Sequence, residues 1–207
     1  MFINPEQIKK DNTEFLNNMG LPLMDSLGLL EITQLRTSNE VANRTIVLAT
    51  FIQLLFGAPN DFVDSYFTEH NLLETLTDDE KRRLLIDYED WTDKEKNDLE
   101  HSIEIIWILV WAGGLNSKEL TFNTPVDETL AAMLPQFFDN EPPTDFINNF
   151  NLLPDLKIFT ELDKFYRVHE SAKNISSTKV SLSLVKTRYK ILKWINDNSI
   201  NWDGVSS

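Results

Sequence analysis

Residues 101–114 read HSIEIIWILVWAGG. From Ile105 to Trp111 every side chain is apolar, so a helix through this stretch has no polar face to offer water. Thr92-Asp93-Lys94-Glu95 upstream has the spacing of a capping box, and Gly113-Gly114 is a natural stop, which predicts a helix over 93–112. The unbroken run from Ile105 to Ala112 would reach about 12 Å at about 1.5 Å per residue, against a bilayer core of roughly 30 Å. It therefore reads as the centre of a core and not as a membrane span. Glu104 conflicts with that reading, because a buried carboxylate without a partner costs several kcal/mol or takes up a proton.

Working outward, helix-start signals recur while strand patterns stay short and isolated. Thr37-Ser38-Asn39-Glu40 and Thr77-Asp78-Asp79-Glu80 are two further capping boxes. Asn4-Pro5 and Thr124-Pro125 add starts with proline at the first helical position, and Gly57 adds a stop. These signals predict helices over 5–18, 38–56, 60–69, 78–88, 93–112, 125–134, 154–173 and 179–197. Leu21 to Leu35 and Phe137 to Leu153 are the irregular stretches, too rich in Leu and Phe to be flexible linkers. The expectation is one all-α domain over 1–207, a bundle of about eight helices around the apolar 93–112 helix.

Composition excludes some functions. With 42% hydrophobic and 25% charged residues, the chain is an ordinary globular one and not a disordered one. It has no cysteine, which removes disulfides and thiolate metal sites and fits a reducing, cytoplasmic setting. The N-terminus lacks the basic and apolar regions of a secretory signal. The net charge of −14 opposes nucleic-acid binding, which needs a dense cationic surface. That charge is uneven: residues 61–104 hold fifteen acidic and five basic side chains, and residues 157–193 hold nine basic and three acidic. The acidic run is either a solvated face that keeps the protein soluble or a surface for a basic protein partner.

Other charges fall on apolar stripes. Arg44 lies between Val41 and Leu48, Arg188 between Val185 and Leu192, and Asp163 among Leu156, Phe159 and Tyr166. An arginine fork resolves the difficulty at Glu104, since it can engage both carboxylate oxygens. Glu104 is expected to pair with Arg44 or Arg188, with Asp163 taking the other. Such pairs either fix how helices register or mark a functional site. The histidines His70, His101 and His169 have no metal-ligand spacing, and no phosphate-binding or nucleophile-elbow motif occurs, so neither a metal nor a cofactor is expected. The candidate polar cluster is Arg44, Glu104, Asp163, Arg167, His169, Arg188 and Asp203. Its candidate pocket aromatics are Trp107, Trp111, Tyr166, Trp194 and Trp202, although core packing is the more ordinary use for them, above all for Trp107 and Trp111 at helical spacing.

Five blocks carry a family resemblance: LRTSNEVANRTIVLA from Leu35, LTDDEKRRLL from Leu76, IEIIWILVWAGG from Ile103, LDKFYRVHESA from Leu162, and VKTRYKILKWI followed by NWDGV at the end. In this order they resemble the domain-of-unknown-function family numbered 4272, whose members are soluble and mostly bacterial. The blocks run from about residue 36 to 205, leaving 1–35 as an N-terminal helix and an irregular segment. The resemblance places Arg36, Glu40, Arg44, Glu104, Trp107, Trp111, Asp163, Arg167, His169, Arg188, Trp194, Trp202 and Asp203 at motif positions. It implies a fold and positions and brings no activity with it. Glu170, Thr187 and Lys193 depart from the Trp, Glu and Asn that the pattern usually has there.

The functional expectation is a cytoplasmic, non-enzymatic interaction module, possible in an immunity-type form that masks a basic surface with the acidic middle of the chain. The alternative is an enzyme or small-ligand-binding protein using the Arg/Glu/Asp/His cluster between helices. An open cavity at that cluster would favour the alternative, and a closed, fully paired cluster would remove the enzyme reading.

Overall fold

The computed structural model describes residues 2–24, 26–172 and 179–205. Those residues form eight α-helices and no strand: α1 (Pro5–Asn18), α2 (Ser38–Phe51), α3 (Asn60–Glu69), α4 (Asp78–Leu84), α5 (Asp93–Ala112), α6 (Thr144–Asn149), α7 (Asp155–Glu170) and α8 (Leu182–Asn196). The protein is all-α. At Thr37, Thr77 and Thr92 the hydroxyl accepts the N–H of the glutamate three residues on, and that glutamate accepts the threonine's N–H in return. Asn4 opens α1 by accepting from the N–H of Gln7.

Several boundaries differ from the sequence pattern. Over 38–56 the α-helix ends at Phe51 and tightens into a 3-10 turn, Ile52–Phe56, closed by Gly57 at φ 84°. Helix α4 stops at Leu84, and a separate 3-10 turn covers Tyr88–Asp90. Thr124-Pro125 does not start an α-helix. The segment there forms a 3-10 helix over Glu128–Met133, with the Asp127 side chain accepting from Thr129 N–H. The expected loop after Phe137 contains a 3-10 turn, Phe137–Asp139, and the short helix α6. The expected 154–173 helix ends at Glu170 and the expected 179–197 helix begins at Leu182 and ends at Asn196; residues 173–178 lie outside the described residues.

Every residue of α5 from Glu104 to Ala112 is buried, as its all-round apolar composition demands. It is not alone at the centre. From Arg44 through Leu54, α2 and the turn after it are buried as well, so the core is built on two helices packed together. Polar residues survive there by turning inward on their own backbone: Thr45 donates to Val41 O, Thr50 to Ile46 O and Gln53 to Ala49 O. Helix α8 packs on α5, α7 pairs with α8, and α1 lies against α7.

The glycine pair after α5 does more than stop a helix. Gly114 takes the left-handed conformation at φ 71°, while a Cβ on Gly113 would lie 2.4 Å from the Phe150 ring. That close approach lets the chain at 151–153 cap α5: Asn151 N–H donates to Gly113 O at 3.2 Å and Leu153 N–H to Ala112 O at 2.8 Å. Carbonyls that a helix end leaves without partners are thereby satisfied inside the protein.

Candidate functional site

The carboxylate of Glu104 is held from two sides. Arg188, on α8, donates to its Oε1 from Nε at 2.8 Å and from Nη2 at 2.5 Å. The backbone N–H of Val126 donates to Oε2 at 3.0 Å. Arg188 also reaches the carbonyls of Thr121 and Thr124. The side chains are 1% and 7% exposed, so the pair is closed to water. It ties three things together: α5, α8 and the irregular segment 121–126. Burial of an ion pair costs desolvation, and here the pair is compensated by backbone hydrogen bonds that also satisfy loop carbonyls.

The other charges do not join it. Asp163 pairs with Arg167 on its own helix, Oδ1 accepting from Nη2 at 2.7 Å and Oδ2 from Nε at 2.9 Å, and Asn12 of α1 donates to Oδ2 at 2.9 Å. Glu104 thus takes one of the two expected arginines, Arg188, while the expectation that Asp163 would take the other is corrected. Four residues along α7 an arginine already faces Asp163, and a local i,i+4 pair orders fewer groups than a distant one. Arg44 turns the other way, donating to Glu80 Oε1 at 2.6 Å and to Thr75 O at 2.8 Å. Glu80 is the glutamate of the α4 capping box, so one carboxylate caps a helix and neutralises a buried guanidinium.

His169 and Asp203 also stand apart. The His169 ring is partly exposed, stacks on Tyr189 at 4.7 Å and has Nδ1 at 3.2 Å from Glu170 Oε1. Tyr189 lies 5.9 Å from Tyr166, and burial pushes the Tyr189 hydroxyl above the usual phenol range. Asp203 is exposed. Trp107 and Trp111 are buried members of the core. The expected single cluster is therefore several separate contacts, because residues sharing a core-facing phase on different helices need not face the same neighbour.

Trp194 and Trp202 belong elsewhere again. Their rings meet edge to face at 4.8 Å. Arg36 lies over Trp194 at 4.1 Å and Arg44 over Trp202 at 4.9 Å, both within cation–π range. Arg36 donates to the carbonyls of Trp194 and Ile200, and burial lowers its pKa from the ordinary arginine value. These residues line a recess of about 330 Å³ between the start of α2 and the end of α8.

A larger groove of about 470 Å³ runs beside α5, between Ile52–Phe56 and the 126–138 segment. Its walls are mainly apolar, with Ile52, Ile103, Val126, Leu130 and Leu134 inside and Phe56 and Phe138 at the rim. Val126 is the residue whose N–H is fastened to Glu104, so the buried ion pair positions one wall of this groove. Asp127 at its mouth is held at about 2, well below the usual carboxylate range, by hydrogen bonds from Lys118 first and then from the Thr129 hydroxyl and N–H. It stays charged at any physiological pH. The groove was missed in the sequence, where Phe56 beside Gly57 and the pair Phe137-Phe138 were its only local signs.

Among the described residues, no three of His, Cys, Asp and Glu gather as a metal-binding group, and no helix is long and apolar enough to cross a membrane. No curated protein and no solved structure matches the chain. A family model described as Domain of unknown function (DUF4272) matches residues 8–205 of the 207, including most of the N-terminal helix that the sequence blocks left outside. The groove, the arginine–tryptophan recess and the buried ion pairs all fall within the matched region, and the chain belongs to the DUF4272 family.

Proposed function

We propose that this protein is a non-enzymatic interaction module that covers a basic surface on a partner protein. The observation that carries the reading is the disposition of the acidic run. Eleven of the fifteen acidic side chains in 61–104 are exposed; Glu80 and Glu104, which are buried, are consumed by arginines. Charge that faces water on one stretch of fold attracts a cationic partner over a distance comparable to the Debye length and speeds encounter. The closed state of Glu104–Arg188 and Asp163–Arg167 speaks against acid–base chemistry at those groups, since no substrate atom can reach them.

The test uses exposed side chains that hold no other side chain in place. Glu80 is unsuitable, because it holds Arg44 and caps α4. Asp87, Glu89, Asp90 and Asp93 are exposed and, among the described residues, are in no ion pair. The immobilised protein should retain a basic partner from its own cells at low salt and release it as salt rises. D87K/E89K/D90K/D93K should lose that partner while still unfolding in one cooperative transition. Retention indifferent to both salt and charge reversal would refute the reading.

One observation favours a second reading. Arg36, Glu40, Arg44, Trp194 and Trp202, drawn from the first and last sequence blocks, converge on the 330 Å³ recess. We infer as the alternative a small polar ligand bound there. Quenching of tryptophan fluorescence by such a compound, lost in Trp202→Leu, would support it. Quenching that persists when both Trp194 and Trp202 are replaced by Leu would exclude the recess.

A further inference from the structure

We propose that the groove beside α5 is the docking site for a basic amphipathic helix of a partner protein, with Phe56 and Phe138 as the anchoring contacts. The inference rests on the interaction reading above and adds to the acidic run a second contact surface, to which that run contributes Ile103. Phe56 and Phe138 are 66% and 65% exposed, unusual for large aromatics flanking a concave apolar surface. Phe138 is held in place by stacking on Phe62 at 5.5 Å, so the rim is preorganised and not a loose side chain.

Charge selects the occupant. The charged residues lining the groove are Asp127 and Glu128, both acidic. Lys118, the cation beside them, is paired with Asp127. Asp61 precedes Phe62 and Asp139 follows Phe138 in the chain, and both are exposed. An apolar surface framed by acid fits a segment with Leu-like anchors and Lys or Arg between them. A helix satisfies its own backbone hydrogen bonds and so asks none of an apolar groove. Among the described residues there is no strand, hence no sheet edge on which an extended peptide could add main-chain hydrogen bonds. A second copy of the chain is a poorer occupant, because a two-fold contact would set acidic rim against acidic rim.

The probe is a fluorescein-labelled, 18-residue amphipathic peptide of Leu and Lys, titrated by anisotropy into the full chain. The wild-type protein should bind it, with methyl resonances of Ile52, Ile103 and Leu130 shifting. F56S/F138S, substitutions at exposed sites that leave the core untouched, should weaken binding roughly tenfold or more. Replacing every Lys of the peptide by Glu, or every Leu by Gln, should abolish it. Absent binding, undiminished binding by F56S/F138S, or equal binding of the Glu peptide would overturn the proposal. So would self-association in sedimentation that the two Phe substitutions remove, which would hand the groove to a second copy. The two readings fail separately. A cellular partner lost with D87K/E89K/D90K/D93K but kept by F56S/F138S overturns the groove alone, whereas one indifferent to the charge reversal overturns the acidic surface.

Discussion

Glu104 shows how one side chain can be required by a fold without taking part in chemistry. Its two oxygens accept three hydrogen bonds, two from Arg188 and one from Val126 N–H, inside a core that offers no water. Glu104→Gln keeps the shape but leaves a buried guanidinium without its counter-charge, and we expect a loss of about 3–5 kcal/mol in unfolding free energy by urea titration. The double change Glu104→Leu with Arg188→Met should cost less than the two single changes added together, since it removes both charges. A Glu104→Gln variant of wild-type stability would show the pair to be incidental. That Glu104 needed an arginine was legible from its place in the apolar run. Which arginine answers it was not, because Arg44 and Arg188 share the same inward phase and differ only in what the neighbouring helices bring opposite them.

At the scale of elements, three capping boxes of the same local design become different objects once packed. In α5, Glu95 caps Thr92 and is approached by Arg82 near the surface. Hydrogen bonds from Arg82 and then Thr92 bring its pKa down to about 2 from the ordinary 4.5. A folded-state pKa below the unfolded one means stability that is full above about pH 4.5 and fades as the pH falls toward about 2. Glu95→Gln should therefore cost about 1 kcal/mol at neutral pH, with the gap to wild type closing in urea titrations at about pH 3. Glu80 occupies the same motif position in α4 but is buried against Arg44. Glu80→Gln should cost about 3–5 kcal/mol at neutral pH, several times the Glu95 effect. Equal costs would mean that the Arg44 contact adds nothing to the cap. The helix starts themselves were legible because a capping box acts within four residues. Helix ends were less so: α2 tightens at Ile52 and α4 stops at Leu84 where packing takes over from local preference.

For the molecule as a whole, the net charge of −14 is a standing repulsion that the compact state must overcome. Raising salt from about 10 mM to about 500 mM shrinks the Debye length from about 30 Å to below 5 Å, so the unfolding temperature should rise with salt in calorimetry. A fall would mean that surface ion pairs such as Arg82–Glu95 outweigh the repulsion. The sequence by itself determined the all-α class, the burial of α5 and most helix starts, since each follows from interactions between residues close in the chain. Tertiary structure alone decided that α2 shares the centre, that the expected polar cluster separates into distinct pairs, and that a groove opens beside α5. Those outcomes depend on which side chains meet across helices far apart in sequence. Periodicity says only that a residue faces inward; its neighbour there is settled by how whole helices pack.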